Sequence, residues 1–228
     1  MIRKGFLYAL PPFLLMLALS IWGWLGTGAD AQIPVHFGLD GSPDRMGGKA
    51  EGFVLLPAMA MGLSALFSLM PMIDPRGQNI RRSEPAVLTA WAGVIWVLAG
   101  AQALITLTAL GIVQSTEDPG RFIGFASAAL LAVLGNVLSK TRPNWLIGIR
   151  TPWTLSSDKS WDVTHRWGGR LMMLGGFVSA IGFLITPPPV AFTVLGVSAI
   201  VMTGVSVGLS YWVWKNDPDR DTYSAASD

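Results

Sequence analysis

The side chains of this chain that could carry chemistry gather in two short segments. The longer, Asn144 to Arg170, reads NWLIGIRTPWTLSSDKSWDVTHRWGGR and sets Arg150, Asp158, Asp162, His165 and four tryptophans between two apolar runs. Arg150 follows apolar residues and precedes Thr-Pro-Trp, so its guanidinium is expected to be partly withdrawn from water. It then needs acceptors: a carboxylate, carbonyl groups or a lipid phosphate. Asp158 or Asp162 would serve, and Asp162 also lies three residues before His165, where it could hold the imidazole. The shorter segment, Ile33 to Gly52, reads IPVHFGLDGSPDRMGGKAEG. His36, Asp44 and Lys49 could form a polar site there; the structural alternative pairs Asp44 with Arg45 or Lys49 and leaves His36 to cap a backbone group. Asp40-Gly41 and Ser42-Pro43 mark tight turns, and Gly47-Gly48 permits positive φ, so the segment reads as a compact, ordered loop.

Much chemistry is excluded. The chain has no cysteine and two histidines, His36 and His165, which rules out disulfides, thiolate catalysis and thiolate zinc sites. No glycine-rich phosphate loop, histidine pair at i, i+4 or nucleophile elbow is present. No catalytic residue, metal or cofactor is called for, and an enzyme is the less favoured reading, kept open only for chemistry on lipid headgroups. The net charge of +2 is a matter of placement and does not describe a nucleic-acid-binding surface.

The elements that must position these residues are membrane helices. About half of the residues are hydrophobic, only 13% are charged, and the mean hydropathy is +0.49, values of an integral membrane protein. Uncharged apolar runs occur at Phe6 to Trp24, Phe53 to Ile73, Ala86 to Val113, Phe122 to Ser139, Leu171 to Thr186 and Val190 to Trp214. A helix rises about 1.5 Å per residue against a hydrocarbon core of about 30 Å, so most of these can cross unaided. The fifth is short and gains length if Arg170 snorkels and Trp167 sits at the interface. Pro187-Pro188-Pro189 forces a tight, non-helical link into the sixth. None of the runs alternates as barrel strands must. The fold class is therefore all-α, a polytopic membrane bundle of six transmembrane helices. Arg3-Lys4, the first run and Ala29-Asp30-Ala31 imitate a secretory signal peptide, but the run is long, Trp-rich and interrupted by Pro11-Pro12, which favours a retained span.

Six spans divide the hydrophilic segments into two alternating sets, and thirteen of the sixteen Lys and Arg residues fall in one of them. The other set holds only Arg45, Lys49 and Arg121. This asymmetry predicts both termini in the cytoplasm, with the His36 loop outside and the Arg150 segment inside. The chain reads as a four-helix region with an ordered outer loop (1–139, loop 27–52), then a polar segment, two final helices and a short acidic tail expected to be disordered (140–228). Pro143 and Pro152 disfavour helix before them, so Asn144 to Thr154 should be irregular or re-entrant, curving at Gly148. Ser156 or Ser157 can cap a new helix carrying Trp161, Thr164, His165 and Gly168 on one face and running on into the fifth span. At least two of Trp145, Trp153, Trp161 and Trp167 read as interfacial anchors. Gly204-x-x-x-Gly208 allows close helix approach, within the bundle or between copies of a homo-oligomer, with internal packing preferred.

The longer segment resembles the signature of the SdpI family of bacterial membrane immunity proteins, Asn-x-x-x-Gly-x-Arg-Thr-Pro-Trp-Thr followed by Trp-x-x-Thr-His and a glycine pair. The loop with Ile-Pro-x-His-Phe, Gly-x-Pro-Asp and a following Lys is similar to a poorly characterised domain often fused upstream. The resemblance implies functional positions at His36, Pro43, Asp44 and Lys49 outside, and at Asn144, Gly148, Arg150, Thr151, Pro152, Trp153, Thr154, Trp161, Thr164, His165 and Gly168 inside. It implies a bacterial inner-membrane protein that gives immunity to a secreted peptide toxin and engages a cytoplasmic transcriptional repressor, with membrane lipid as its surroundings. The alternative reading is a transporter, or a protein that binds or modifies lipid headgroups through the Arg150/His165 region. Coupled transporters commonly hold ionisable residues within their spans, whereas here the strongest polar candidates in the runs are Gln102 and Asn136.

Overall fold

The computed structural model describes residues 1–38, 42–113 and 119–219. The Asp40-Gly41 turn and the tail from Arg220 lie outside them. Six helices are long and apolar enough to cross a membrane: α1 (Ile2–Gly26), α2 (Lys49–Ile73), α4 (Glu84–Ala109), α5 (Pro119–Leu138), α7 (Asp158–Ile185) and α8 (Pro188–Lys215). Each expected run lies within one of them or overruns its end by a few residues. Two short helices, α3 (Gly77–Arg82) and α6 (Pro152–Leu155), sit in the connections at one end of the bundle. At the other end, β1 (Ile33–Phe37) and β2 (Pro43–Gly47) form an antiparallel hairpin with Ile33 opposite Gly47. The expected ordered loop is thus a hairpin, an addition to an otherwise helical fold.

Helices α1, α2 and α4 enclose a core around Trp91, which is fully buried with Met16, Ala60 and Ile95. Trp91 stacks on Phe67 with centroids 5.7 Å apart and donates its indole N–H to Ser64 Oγ at 3.1 Å, so its polar edge is satisfied in an apolar setting. Pro11 and Pro12 lie inside a continuous α1 and do not interrupt it, since packing against neighbours can hold a proline-containing membrane helix together. The second layer packs α5 on α7 and α7 on α8. A Cβ on Gly135 of α5 would stand 2.4 Å from the backbone N of Met173, and one on Gly176 of α7 would stand 2.4 Å from the N of Ala132. Glycine at both positions is what lets these backbones approach, the usual basis of membrane-helix packing. This α5/α7 pair spans the expected division at 139/140.

Helix α7 is longer than the fifth apolar run because Ser157, as expected, caps it and accepts the Ser160 N–H at 2.9 Å. Arg170 lies over the ring of Trp167 at 4.8 Å. The link to α8 is only Thr186 and Pro187; Pro188 and Pro189 start the helix, where their missing N–H groups cost nothing. The preferred use of Gly204-x-x-x-Gly208 is overturned. A Cβ at either glycine would meet nothing within 4 Å, because α8 turns Ser206, Ser210 and Val213 inward and the glycines away.

Candidate functional site

The signature segment is built as a loop that satisfies its own backbone. Asn144 is fully buried; its Oδ1 accepts the N–H groups of Leu146 and Ile147 at 2.9 and 2.7 Å, and its amide donates to the carbonyls of Arg142 and Ile147. Leu146 and Ile147 pack against the Trp91 core. Gly148 then turns the chain at φ +121°, a region that L side chains rarely enter. A Cβ there would also stand 2.4 Å from His165 Nε2. The next residue, Ile149, donates its N–H to that nitrogen at 2.9 Å, while His165 Nδ1 lies 2.8 Å from the Trp161 carbonyl. These two contacts fix the tautomer: Nε2 accepts, so Nδ1 carries the proton and donates it. Asp162 does not hold His165, because the Trp161 carbonyl one turn back is already in place and Asp162 is exposed while the imidazole is buried.

The expected helical face is present. Trp161, Thr164, His165 and Gly168 are all buried, with the Trp161 and His165 rings stacked at 3.9 Å. Gly168 leaves the room that Ile149 Cδ1 occupies. Trp161 is no interfacial anchor: it is fully buried and donates to the Thr141 carbonyl at 3.1 Å. Trp145 and Trp167 are half exposed, as anchors should be, and Trp153 meets Tyr211 edge-on at 5.1 Å. Asn144 to Thr151 is irregular as expected, but Pro152 to Leu155 closes into one helical turn. Thr151 caps it in a reciprocal box with Thr154 and Pro152 opens it. Thr151 also donates to Ser210 Oγ at 3.0 Å, and Thr154 to the Ile149 carbonyl at 2.8 Å.

Arg150 departs from expectation. It is exposed, and its guanidinium donates to the Trp145 carbonyl across the turn, not to Asp158 or Asp162. The loop's own curvature supplies the acceptor, so no buried carboxylate is needed. Exposed Arg150, Trp145 and Pro152 form the outward face of the loop.

The residues missed by sequence reasoning fasten this loop to the rest of the chain. Asp74, at the C-terminus of α2, is 5% exposed and accepts the N–H groups of Arg76 at 2.7 Å and Trp145 at 2.8 Å. Asn79 donates to the Pro143 carbonyl and Ser83 accepts the Arg142 N–H. On the other flank, buried Asp217 accepts from Ser157 at 2.5 Å. Asp74-Pro75 and Asp217-Pro218, each following an apolar run, were the available signal.

At the opposite end, His36 and Asp44 are cross-strand neighbours in contact, His36 Nδ1 lying 2.6 Å from Asp44 Oδ1. Asp44 therefore pairs with neither Arg45 nor Lys49. The hairpin places Asp44 beside His36, whereas Arg45 reaches Glu51 at 2.5 Å and Lys49 donates to the Thr27 carbonyl at 3.0 Å beside the Trp24 ring. Pro43 opens β2. Beneath the pair lies a cavity of about 500 Å³ whose walls come from the hairpin, α2, α4, α5 and α8. His36 and Asp44 are at its polar edge; Val35, Leu56, Leu104, Ile105 and Phe192 are among its apolar walls.

This architecture defines a multi-pass membrane protein with a hairpin-roofed cavity at one end and a self-satisfied polar loop at the other. Residues 140–212 match the model of the SdpI/YfhL protein family, and residues 13–61 match a domain of unknown function, DUF1648. The chain thus carries an SdpI/YfhL family region preceded by a DUF1648 region, and it is a multi-pass inner-membrane protein. It is similar to Immunity protein SdpI of Bacillus subtilis (strain 168), with 34% identity over 59 residues, 26% of this chain and 28% of that relative. No solved structure matches significantly.

Proposed function

We propose that this chain protects its host membrane by binding an exported peptide at the hairpin end, which faces outward, and presents the Arg150 loop to a cytoplasmic regulator. The observation that carries the reading is the cavity under the hairpin, walled by helices from both halves of the chain and edged by the His36–Asp44 pair. Its volume lies within the range of about 300–1,000 Å³ usual for binding sites. The charge asymmetry of the connecting segments supports the orientation, and the family match supports an immunity role. On the inner side, Arg150, Trp145 and Pro152 are exposed on a loop whose other polar groups are largely spent internally, so partner contact there needs no rearrangement.

The experiment is expression in a host sensitive to an exported peptide, with survival compared between the native chain and Leu104→Trp, which fills the cavity. Survival conferred by the native chain and lost in the variant, at equal membrane insertion, is the expected result. Undiminished protection by the filled variant overturns the reading. Cysteine substitution at His36 and at Arg150 in this cysteine-free chain tests the orientation: an impermeant maleimide should label the first in intact cells and the second only after lysis.

A further inference from the structure

The cavity under the hairpin also carries information about what it would bind. The segments at that end, 27–52 and 110–121, contain six carboxylates (Asp30, Asp40, Asp44, Glu51, Glu117 and Asp118) against three cations, Arg45, Lys49 and Arg121. All three cations are engaged: Arg45 with Glu51, Lys49 with the Thr27 carbonyl, and Arg121 with the Phe183 carbonyl at 2.6 Å. None of them lines the cavity, whereas Asp44 does. An anionic headgroup entering there would meet a carboxylate and, among the described residues, find no lysine or arginine turned toward it. Apart from its His36–Asp44 edge, the wall is largely hydrocarbon, and a membrane-spanning helix face continues below it.

Resting on the reading that the hairpin end binds a peptide, we propose that the occupant is a cationic amphipathic segment. Its apolar side chains fill the space between Val35, Leu56, Leu104 and Phe192, and its ammonium or guanidinium group sits on the Asp44 carboxylate. His36 holds Asp44 Oδ1 and so aims the carboxylate along the cavity edge; it is a positioning residue. The charge contact is half exposed, Asp44's side chain being 49% accessible, so it should select the ligand while apolar burial retains it.

The test uses the full chain in phosphatidylcholine nanodiscs, with empty nanodiscs as the blank. Three fluorescent probes share one apolar hexapeptide and end in lysine, acetyl-lysine or glutamate. The lysine probe should bind up to about fivefold more tightly than the acetyl-lysine probe, on the scale of a partly exposed ion pair, with the glutamate probe weakest. Raising salt well above 0.15 M should narrow the difference. Asp44→Asn should abolish the preference while keeping acetyl-lysine binding, which also reports that the hairpin is intact. Leu104→Trp should weaken both. Equal binding of the lysine and acetyl-lysine probes, or preference for glutamate, overturns the cationic assignment and leaves the immunity reading standing if Leu104→Trp still costs survival. Absence of binding by all three likewise overturns it. Loss of the immunity reading would instead show as undiminished survival with Leu104→Trp.

Discussion

Replacing Asp74 tests whether the signature loop is held by the end of α2. The carboxylate is 5% exposed and accepts two backbone N–H groups, from Arg76 at 2.7 Å and Trp145 at 2.8 Å. Hydrogen bonds to a charged group contribute roughly 1.5–3 kcal/mol each. Trp145 and Arg76 are not deeply buried, so water recovers part of the loss when the acceptor goes. Asp74→Ala should then cost about 2–4 kcal/mol, and Asp74→Asn, which keeps one oxygen acceptor, about 1–2. The effect should be local, since Asn79 and Ser83 still hold Pro143 and Arg142. The assay is deuterium labelling of the Ile149 amide, which His165 Nε2 holds in the closed loop, followed in detergent beside thermal unfolding of the same protein. If the whole cost falls on loop docking, the open population rises about 30-fold to 1,000-fold at 1.4 kcal/mol per decade, and labelling accelerates with it in Asp74→Ala. An unfolding midpoint and a labelling rate both unchanged by Asp74→Ala would refute the claim that this carboxylate fastens the loop.

Gly148→Ala combines a φ of +121° with a Cβ 2.4 Å from His165 Nε2; backbone strain alone costs about 1–3 kcal/mol, so the thermal midpoint should fall and the Ile149–His165 hydrogen bond should be lost. His165→Phe keeps an aromatic ring on Trp161 but leaves the Ile149 N–H without its acceptor, and should destabilise by about 1–3 kcal/mol as read by denaturant titration in mixed micelles.

The fold was legible because hydrocarbon thickness constrains sequence so directly: six apolar runs became six helices, and the Ser157 cap and the Trp161–Gly168 face followed from helical periodicity. The hairpin was visible only as an ordered loop, since five-residue strands with Pro34, Gly47 and two register shifts give no clean alternation. The polar partners were misjudged for a common reason. Charged side chains were matched to carboxylates within a segment, yet His165 is satisfied by a backbone carbonyl and a backbone N–H, and Arg150 by a backbone carbonyl; of the two readings of Asp44, the one that set it with His36 is the one the hairpin makes. The fastenings at Asp74, Asn79 and Ser83 lie 59 to 71 residues from the groups they bind, a separation at which no local pattern operates. Gly204 and Gly208 show the converse: a motif that permits close packing does not require it, and α8 buries its serine face instead.

Those fastenings bear on how the two ends of the molecule relate. Helix α2 begins two residues after β2 and ends at Ile73 with Asp74 as its C-cap, so one helix has the cavity's roof at one terminus and the signature loop's anchor at the other. At about 1.5 Å per residue, its 25 residues reach nearly 40 Å. Pro57 and Pro71 both lie within it and are the places where such a helix bends. A ligand at the hairpin influences Trp145 and Arg150 only by as much as it prefers one arrangement of this connection over another. Asp74→Ala cuts the connection at its inner end without touching the cavity. A ligand effect on Ile149 amide labelling that survives that substitution travels by another route, either through α4, whose Leu104 and Ile105 line the cavity and whose N-cap Ser83 holds Arg142, or through the α5/α7 pair with its close glycine contacts.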